Sequence, residues 1–172
     1  RTFDILSYNE IHQPLDKALS IKRNDQWESF TIKEYRKNVD LISYGLMEMG
    51  FNKSDKIATV INNCPEWNFI DFGMSQLGVV HVGIYPTISE IEYLHILKHS
   101  EAKILIVSSK ELYTKLLPVI YQVDSIQEVY SIEDISGVKS LSDIIALGEK
   151  NQEKYKEELV ERKAAVLPED LL

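Results

Sequence analysis

The clearest pattern in the chain is an apolar face that returns every three or four residues between Thr31 and Gly50. Thr31 and Glu34 have the spacing of a capping box, in which each side chain bonds the free backbone N–H of the other residue. Gly50 can take the left-handed conformation that ends a helix. The pattern therefore predicts a helix between these residues. Its buried face holds Tyr35, Val39, Ile42, Leu46 and Met49.

Further apolar segments, short and rich in β-branched residues, alternate with helical patterns. Such segments are typical of buried strands. A second helix begins at Pro65 and ends at Gly78, a third is capped by Ser89, and a fourth by Ser108 or Ser109. The predicted strands are residues 56–61, 79–84, 103–107 and 127–132. The predicted inward faces of the second and third helices are Trp67, Ile70, Met74 and Leu77, and Ile91, Leu94 and Leu97.

The alternation of strands and helices predicts an α/β fold, with a mainly parallel sheet covered by helices on both faces. We expect one α/β domain over residues 1–172, in which residues 138–172 form a helical C-terminal segment. Residues 151–163 are mostly charged, which indicates a solvated helix with a thin apolar stripe of Tyr155 and Leu159. Residues 1–24 show only a helical hint from Leu15 to Leu19, and Trp27 and Phe30 indicate a short strand.

Composition narrows the classes of function. The 172 residues are 44% hydrophobic and 27% charged, which is ordinary for a globular protein. The net charge of −8 argues against a nucleic-acid partner. The single cysteine excludes an intramolecular disulfide and fits a reducing compartment. No apolar run approaches the ~18–20 residues of a transmembrane helix. We therefore expect a cytoplasmic protein and leave peripheral contact with a membrane open.

Few residues are candidates for metal binding or catalysis. His95 and His99 have metal-ligand spacing on one helix, but no further ligand has an evident place, which favours a surface pair. Cys64 lies at a predicted helix N-terminus, where the dipole lowers a thiol pKa. A catalytic cysteine also needs a base, and the candidate, His81, lies in a predicted strand, where a packed histidine is the more common finding.

Aromatic residues at helical spacing are more often core than ligand site, which is how we interpret Trp67, Phe69 and Phe72. The chain has no glycine-rich phosphate loop and no nucleophile elbow. We therefore predict no catalytic, cofactor-binding or metal-ligating residue within it.

Several blocks of sequence resemble the opening part of adenylate-forming acyl-CoA synthetases. They include FTIKEY at 30–35, NCPEW at 63–67 and GVVHVGIYPT at 78–87, and the second and third are most similar to long-chain fatty acyl-CoA ligases. The PEDLL at 168–172 is similar to the segment that precedes the family's Ser/Thr/Gly-rich phosphate loop. The resemblance implies the N-terminal subdomain of the adenylate-forming fold, truncated just before that loop.

The resemblance also implies an activity for the parent protein. Such an enzyme activates a long-chain fatty acid with ATP to an acyl-adenylate and then forms acyl-CoA, using ATP, Mg²⁺ and coenzyme A. The fragment itself is expected to be inactive and to bind none of them. The alternative is a free-standing α/β interaction or regulatory module without catalysis.

Four residues lie in or beside the family's motifs. Lys110 and Lys115 lie where some relatives place basic residues at the phosphate end of coenzyme A, although solvated lysines are the favoured interpretation. We interpret Asn63 as bonding free N–H groups at a helix start, and Glu66 as a charge that suits the helix dipole.

A fragment should expose a face that the rest of its enzyme covers. We therefore expect self-association of the fragment, or an apolar patch around Tyr85, Pro86 and Thr87. We also expect residues 151–172 to pack loosely. A uniformly polar surface, a closed sheet and a firmly docked C-terminus would together favour the free-standing module instead.

Overall fold

The elements follow the alternation that the sequence predicts. The computed structural model describes residues 1–171. The helices are α1 (Asp4–His12), α2 (Ile32–Glu48), α3 (Pro65–Ser75), α4 (Glu90–Ser100), α5 (Lys110–Ile120) and α6 (Leu141–Ala165). The strands are β1 (Leu19–Arg23), β2 (Gln26–Phe30), β3 (Lys56–Val60), β4 (Val80–Ile84), β5 (Ile104–Val107), β6 (Glu128–Ser131) and β7 (Lys139–Ser140).

A five-stranded parallel sheet forms the centre of the fold, in the order β4-β3-β5-β6-β7. Helices α2, α3 and α6 pack on one face and α4 and α5 on the other. Alternate residues of each strand serve the two faces, so Ile104 and Ile106 join the first core and Leu105 and Val107 the second. The α/β fold class, with a parallel sheet covered on both faces, is confirmed. Strands β1 and β2 form a separate antiparallel hairpin.

The helix boundaries follow local signals in the sequence. Thr31 and Ser89 each form a complete capping box, with Glu34 and Glu92 respectively. Gly50 has φ of 84°, in the left-handed region that the end of α2 requires. These parts of the sequence analysis are confirmed to within two residues.

The N-terminal region and one helix face differ from expectation. Residues 4–12 form α1, which shows no apolar periodicity in the sequence, and Leu19 begins a strand instead of ending a helix. Ile91 is 80% exposed, because Tyr93 and Leu97 occupy the buried side of α4. Its predicted place on the inward face is therefore wrong.

The C-terminal segment is firmly docked as far as it is described. Helix α6 is continuous over 25 residues and lies against α2. Leu159 and Val166 are each 2% exposed. Arg162 donates a hydrogen bond of 2.8 Å to the carbonyl of Phe51, and Lys163 lies 3.0 Å from the Asp40 carboxylate. The expectation of loose packing is wrong, because cations on a mostly polar helix find partners on the elements beneath it.

Candidate functional site

A cavity of about 630 Å³ opens at the carboxyl ends of β3 and β4. The start of α3 closes it on one side, and the segment after β4 forms its outer wall. It is lined by Ile61, Asn62, Asn63, Cys64, Trp67, Asn68, Gly83, Ile84, Tyr85, Pro86 and Thr87.

Topology explains why a cavity forms at this end of the sheet. The chain places β4 on one side of β3 and then β5 on the other. Ligands of open α/β sheets bind outside the carboxyl ends of strands, near such a reversal. Here the carboxyl ends of β3 and β5 are joined, because the N–H of Asn62 donates to Ser108 Oγ at 3.0 Å. The open space therefore lies on the other side of β3, towards β4.

The residues described around the cavity are all neutral in type. Three asparagines and a threonine supply amide and hydroxyl groups, while Trp67 and Tyr85 supply aromatic surface. Among these residues there is no Asp, Glu, His, Lys or Arg, so the lining offers no carboxylate, no imidazole and no cation for a phosphate. The chemistry of the cavity is that of a binding surface.

Cys64 is not an activated nucleophile. It is the N-cap of α3, but burial raises the pKa of its thiol to about 11, and the nearby Glu66 charge acts in the same direction. Hydrogen bonds from the N–H groups of Trp67 and Glu66 oppose this rise in pKa but do not overcome it. The thiol is therefore protonated at neutral pH, and the reactive thiolate is not formed there.

His81 is a packed histidine, as its place in a strand predicted. Its Nδ1 lies 2.6 Å from Asp71 Oδ1, and its Nε2 lies 2.8 Å from Thr59 Oγ1. The order Asp–His–Thr is that of a catalytic triad, but Thr59 is 1% exposed and cannot meet a substrate. The network instead fixes the imidazole ring behind Trp67, whose ring centroid is 5.2 Å away.

The aromatic residues of α3 divide between core and cavity. Phe69 is 2% exposed and belongs to the core, in contact with Phe30 and Tyr35. Trp67 is half-buried: it packs against the core and also lines the cavity, so its predicted place in the core is confirmed only in part. Asn68, which the sequence analysis did not consider, also lines the cavity. Its position directly after Trp67 at a helix start was the available signal.

The two residues interpreted as helix-start residues have different outcomes. Asn63 is exposed, and the N-cap is Cys64, with no side-chain cap hydrogen bond, so the capping function expected of Asn63 is wrong. Glu66 does lie in the first turn of α3. Its Oε1 accepts a hydrogen bond of 2.6 Å from Arg23, which holds the β1–β2 hairpin against the helix.

The two candidate lysines of α5 behave differently. Lys110 is exposed, as expected of a solvated residue. Lys115 is half-buried, and its Nζ donates to the carbonyls of Pro86 and Ile88 at 3.1 and 3.0 Å. The interpretation of Lys115 as solvated is therefore wrong.

The remaining candidates are surface features. His95 and His99 are exposed and stack on each other with ring centroids 6.0 Å apart. Over residues 1–171, no three His, Cys, Asp or Glu side chains are placed to hold a metal ion. Tyr85, at the outer wall of the cavity, is 79% exposed, and the expected apolar patch around it stays a prediction. No helix in this part of the chain has the length and apolarity that crossing a membrane requires.

Comparison with known proteins assigns the chain to a family. The family model described as AMP-binding enzyme matches residues 10–171. The long-chain-fatty-acid–CoA ligase heimdall of Drosophila melanogaster is 31% identical over 93 residues, which are 54% of this chain and 14% of that protein. A long-chain-fatty-acid–CoA ligase of Homo sapiens is 27% identical over 123 residues, or 69% of this chain and 17% of that protein.

Solved structures show the same fold. A long-chain-fatty-acid–CoA ligase from Archaeoglobus fulgidus superposes with a TM-score of 0.69 at 22% identity, over 85% of this chain and 29% of that one. An anthranilate CoA ligase bound to anthranoyl-AMP gives a TM-score of 0.70 at 22% identity, over 84% and 26% of the two chains. The chain thus spans well under half of each of these relatives. Because the family model matches nearly all of its length, the chain belongs to the AMP-binding enzyme family.

Proposed function

We propose that the chain is the N-terminal part of a long-chain fatty acid–CoA ligase. The observation that carries the proposal is a neutral cavity at the carboxyl ends of β3 and β4, in a chain of the AMP-binding enzyme family. The similarity to long-chain-fatty-acid–CoA ligases supports the choice of substrate. In the parent reaction, a fatty acid carboxylate attacks the α-phosphorus of ATP and releases pyrophosphate. The thiol of coenzyme A then attacks the acyl carbon, loses its proton and releases AMP.

In this proposal the chain supplies a scaffold and one binding wall. The cavity lining holds no cation, so the triphosphate has no counter-charge here. Lys115, the half-buried cation near the wall, directs its ammonium group at backbone carbonyls. The cavity lining holds no carboxylate that could reach a Mg²⁺ ion on the triphosphate. The phosphate- and metal-binding groups then belong to the remainder of the ligase.

In this proposal the exposed outer wall of the cavity is a surface that the remainder of the ligase covers. Tyr85 stands 79% exposed beside the cavity mouth, where apolar area is available to a partner. Self-association of the isolated chain through this surface stays a prediction. A cytoplasmic location, with peripheral contact to the membrane that holds the fatty acid, completes the proposal.

An exchange assay tests the function. The chain alone and the full-length protein are each incubated with palmitate, ATP, Mg²⁺ and labelled pyrophosphate. We expect exchange of label into ATP by the full-length protein and none by the chain. Exchange by the pure chain would contradict its scaffold function, and no exchange by the full-length protein with any fatty acid would contradict the ligase.

The free-standing module remains the second candidate, because α6 is docked as firmly as that alternative predicts. The coding sequence distinguishes the two. A Ser/Thr/Gly-rich loop with a lysine soon after Leu172 supports the ligase, and a stop codon at that point supports the module.

A further inference from the structure

The outer wall of the cavity is an irregular segment whose carbonyl groups are held by side chains. Residues 85–88 join β4 to the N-cap of α4 and belong to neither a helix nor a strand. Tyr93 Oη donates to the carbonyl of Tyr85 at 3.0 Å. Lys115 Nζ donates to the carbonyls of Pro86 and Ile88 at 3.1 and 3.0 Å. Three of the four carbonyls of the wall therefore accept hydrogen bonds from two side chains.

The two donors support each other. Lys115 lies on α5 and Tyr93 on α4, and the ammonium nitrogen is 5.0 Å from the centroid of the tyrosine ring. Tyr93 is fully buried, so its ring is a fixed surface for the cation. Hydrogen bonds from a charged donor are shorter and stronger than neutral ones. Over residues 1–171 Lys115 forms no ion pair with a carboxylate, so its donors are available to the wall.

We propose that Lys115 is a positioning residue for the cavity: with Tyr93, it fixes the segment 85–88 as the wall against which a bound reactant lies. Tyr85, Pro86 and Thr87 line the cavity, but their backbone has no sheet partner to hold it in place. Lys115 itself does not line the cavity and acts only through the carbonyls that it binds. The proposal uses the proposed function only for the identity of the reactants.

Hydrogen exchange in the chain as given tests the wall directly. Lys115→Met removes the donors and keeps the length of the side chain. Lys110→Met is the matched control, because it makes the same change of charge at an exposed position on the same helix. We expect exchange at the amides that flank the wall, those of Ile84, which pairs with Val60, and Ser89, which donates to Glu92 Oε2 at 2.8 Å, to accelerate at least about tenfold in Lys115→Met only. Exchange in β5 should be unchanged in both variants.

Two further variants keep the test decisive. Lys115→Arg retains a charged donor and should restore most of the protection. Tyr93→Phe keeps the ring and removes the donor to Tyr85, so it should accelerate exchange at the wall even if Lys115→Met fails to fold. Unchanged exchange at the wall in both Lys115→Met and Tyr93→Phe, or equal acceleration across the whole chain, would overturn the proposal.

A kinetic measurement in the full-length ligase tests the consequence for binding. KM is measured for palmitate, ATP and coenzyme A in the same variants. We expect Lys115→Met to raise one of the three KM values by about fivefold while kcat changes little, since the wall contributes to binding. Lys115→Arg should recover that KM. Three unchanged KM values would overturn the proposal that the wall positions a reactant. The hydrogen-exchange test does not depend on whether the protein is a ligase.

Discussion

At Cys64 two effects on a thiol act in opposite directions. Its position at the N-terminus of α3 favours the thiolate, whereas the loss of water around the sulfur disfavours it. Burial is the larger effect, and the pKa rises to about 11. A position at a helix start is visible in a sequence, but the depth of burial is not. The sequence alone therefore does not decide whether Cys64 is reactive, whereas the structure shows that its thiol is too deeply buried.

Alkylation of Cys64 measures this balance. In the folded chain the rate of reaction with iodoacetamide should rise with pH towards a midpoint near 11, because the thiolate is the reacting form. In the urea-unfolded chain the midpoint should lie near the ordinary value of 9.0. The reaction is followed by intact mass. Equal midpoints in the two states would show that burial does not control the thiol.

Truncation of two neighbouring aromatic residues tests the division between core and cavity. Phe69→Ala should lower the free energy of unfolding by ~3–5 kcal/mol, as for aromatic residues in cores. Trp67→Ala should cost only ~1–2 kcal/mol, because its ring is already half-exposed to the cavity. Urea denaturation gives both values. A cost for Trp67→Ala as large as that for Phe69→Ala would place the tryptophan in the core after all.

At the scale of elements, packing depends on two glycines where α2 crosses α6. A Cβ at Gly148 would lie 1.9 Å from the carbonyl oxygen of Leu41, and one at Gly45 would lie 2.3 Å from that of Ile144. Such distances leave no room for a methyl group. The glycines let the two backbones approach, so that α6 lies directly on α2 and not on a layer of side chains.

Gly148→Ala should therefore destabilise the fold by about 3 kcal/mol or more, even though alanine is the better helix former. Glu149→Ala is the control, since it makes a substitution to alanine at an exposed neighbouring position. It should change the free energy of unfolding by no more than ~0.5 kcal/mol. Thermal and urea unfolding of both variants measure the difference. A stabilising Gly148→Ala would mean that the helices do not touch at this point.

Whether a helix or strand can be predicted from the sequence depends on how that element is buried. Strands β3 and β5 are buried along almost their whole length, and their β-branched runs are visible in the sequence. Helix α1 leaves Ile5, Tyr8 and Ile11 exposed, so no apolar face marks it. The β1–β2 hairpin does have a local signal in the sequence: Asn24 and Asp25 have φ of 50° and 60°, and such pairs favour two-residue hairpin turns.

The candidate site is harder to predict than the fold, because it depends on contacts between distant segments. The family-like motifs include residues 63–67 and 85–87, and both segments contribute side chains to the cavity lining. Nothing local indicates that Lys115 reaches the carbonyls of Pro86 and Ile88, which are 29 and 27 positions away along the chain. The local sequence pattern predicts the helix or strand in which a residue lies. Its hydrogen-bond partner in a distant segment is seen only in the folded structure.

At the scale of the whole molecule, the two faces of the sheet are covered unequally. One core joins the three helices α2, α3 and α6 to the sheet, and the other involves only α4 and α5. The second half of α6 adds Leu159, and the residue after the helix is Val166, both buried. Polar contacts to Asp40, Glu48 and the Phe51 carbonyl run along the same helix. The C-terminal segment is thus part of the core.

Deletion of residues 151–172 should accordingly destabilise the chain by ~3–6 kcal/mol, because burial of two aliphatic side chains is lost. That is a large share of the ~5–15 kcal/mol typical of a folded domain. Deletion of residues 167–172 alone is the control: it removes the ion pair between exposed Lys53 and half-buried Asp170 and leaves Val166 in place. Its urea midpoint should stay close to that of the whole chain. Similar midpoints for the whole chain and the longer deletion would mean that the second half of α6 is only loosely attached. Loose attachment is what the sequence predicts for a fragment of a larger enzyme.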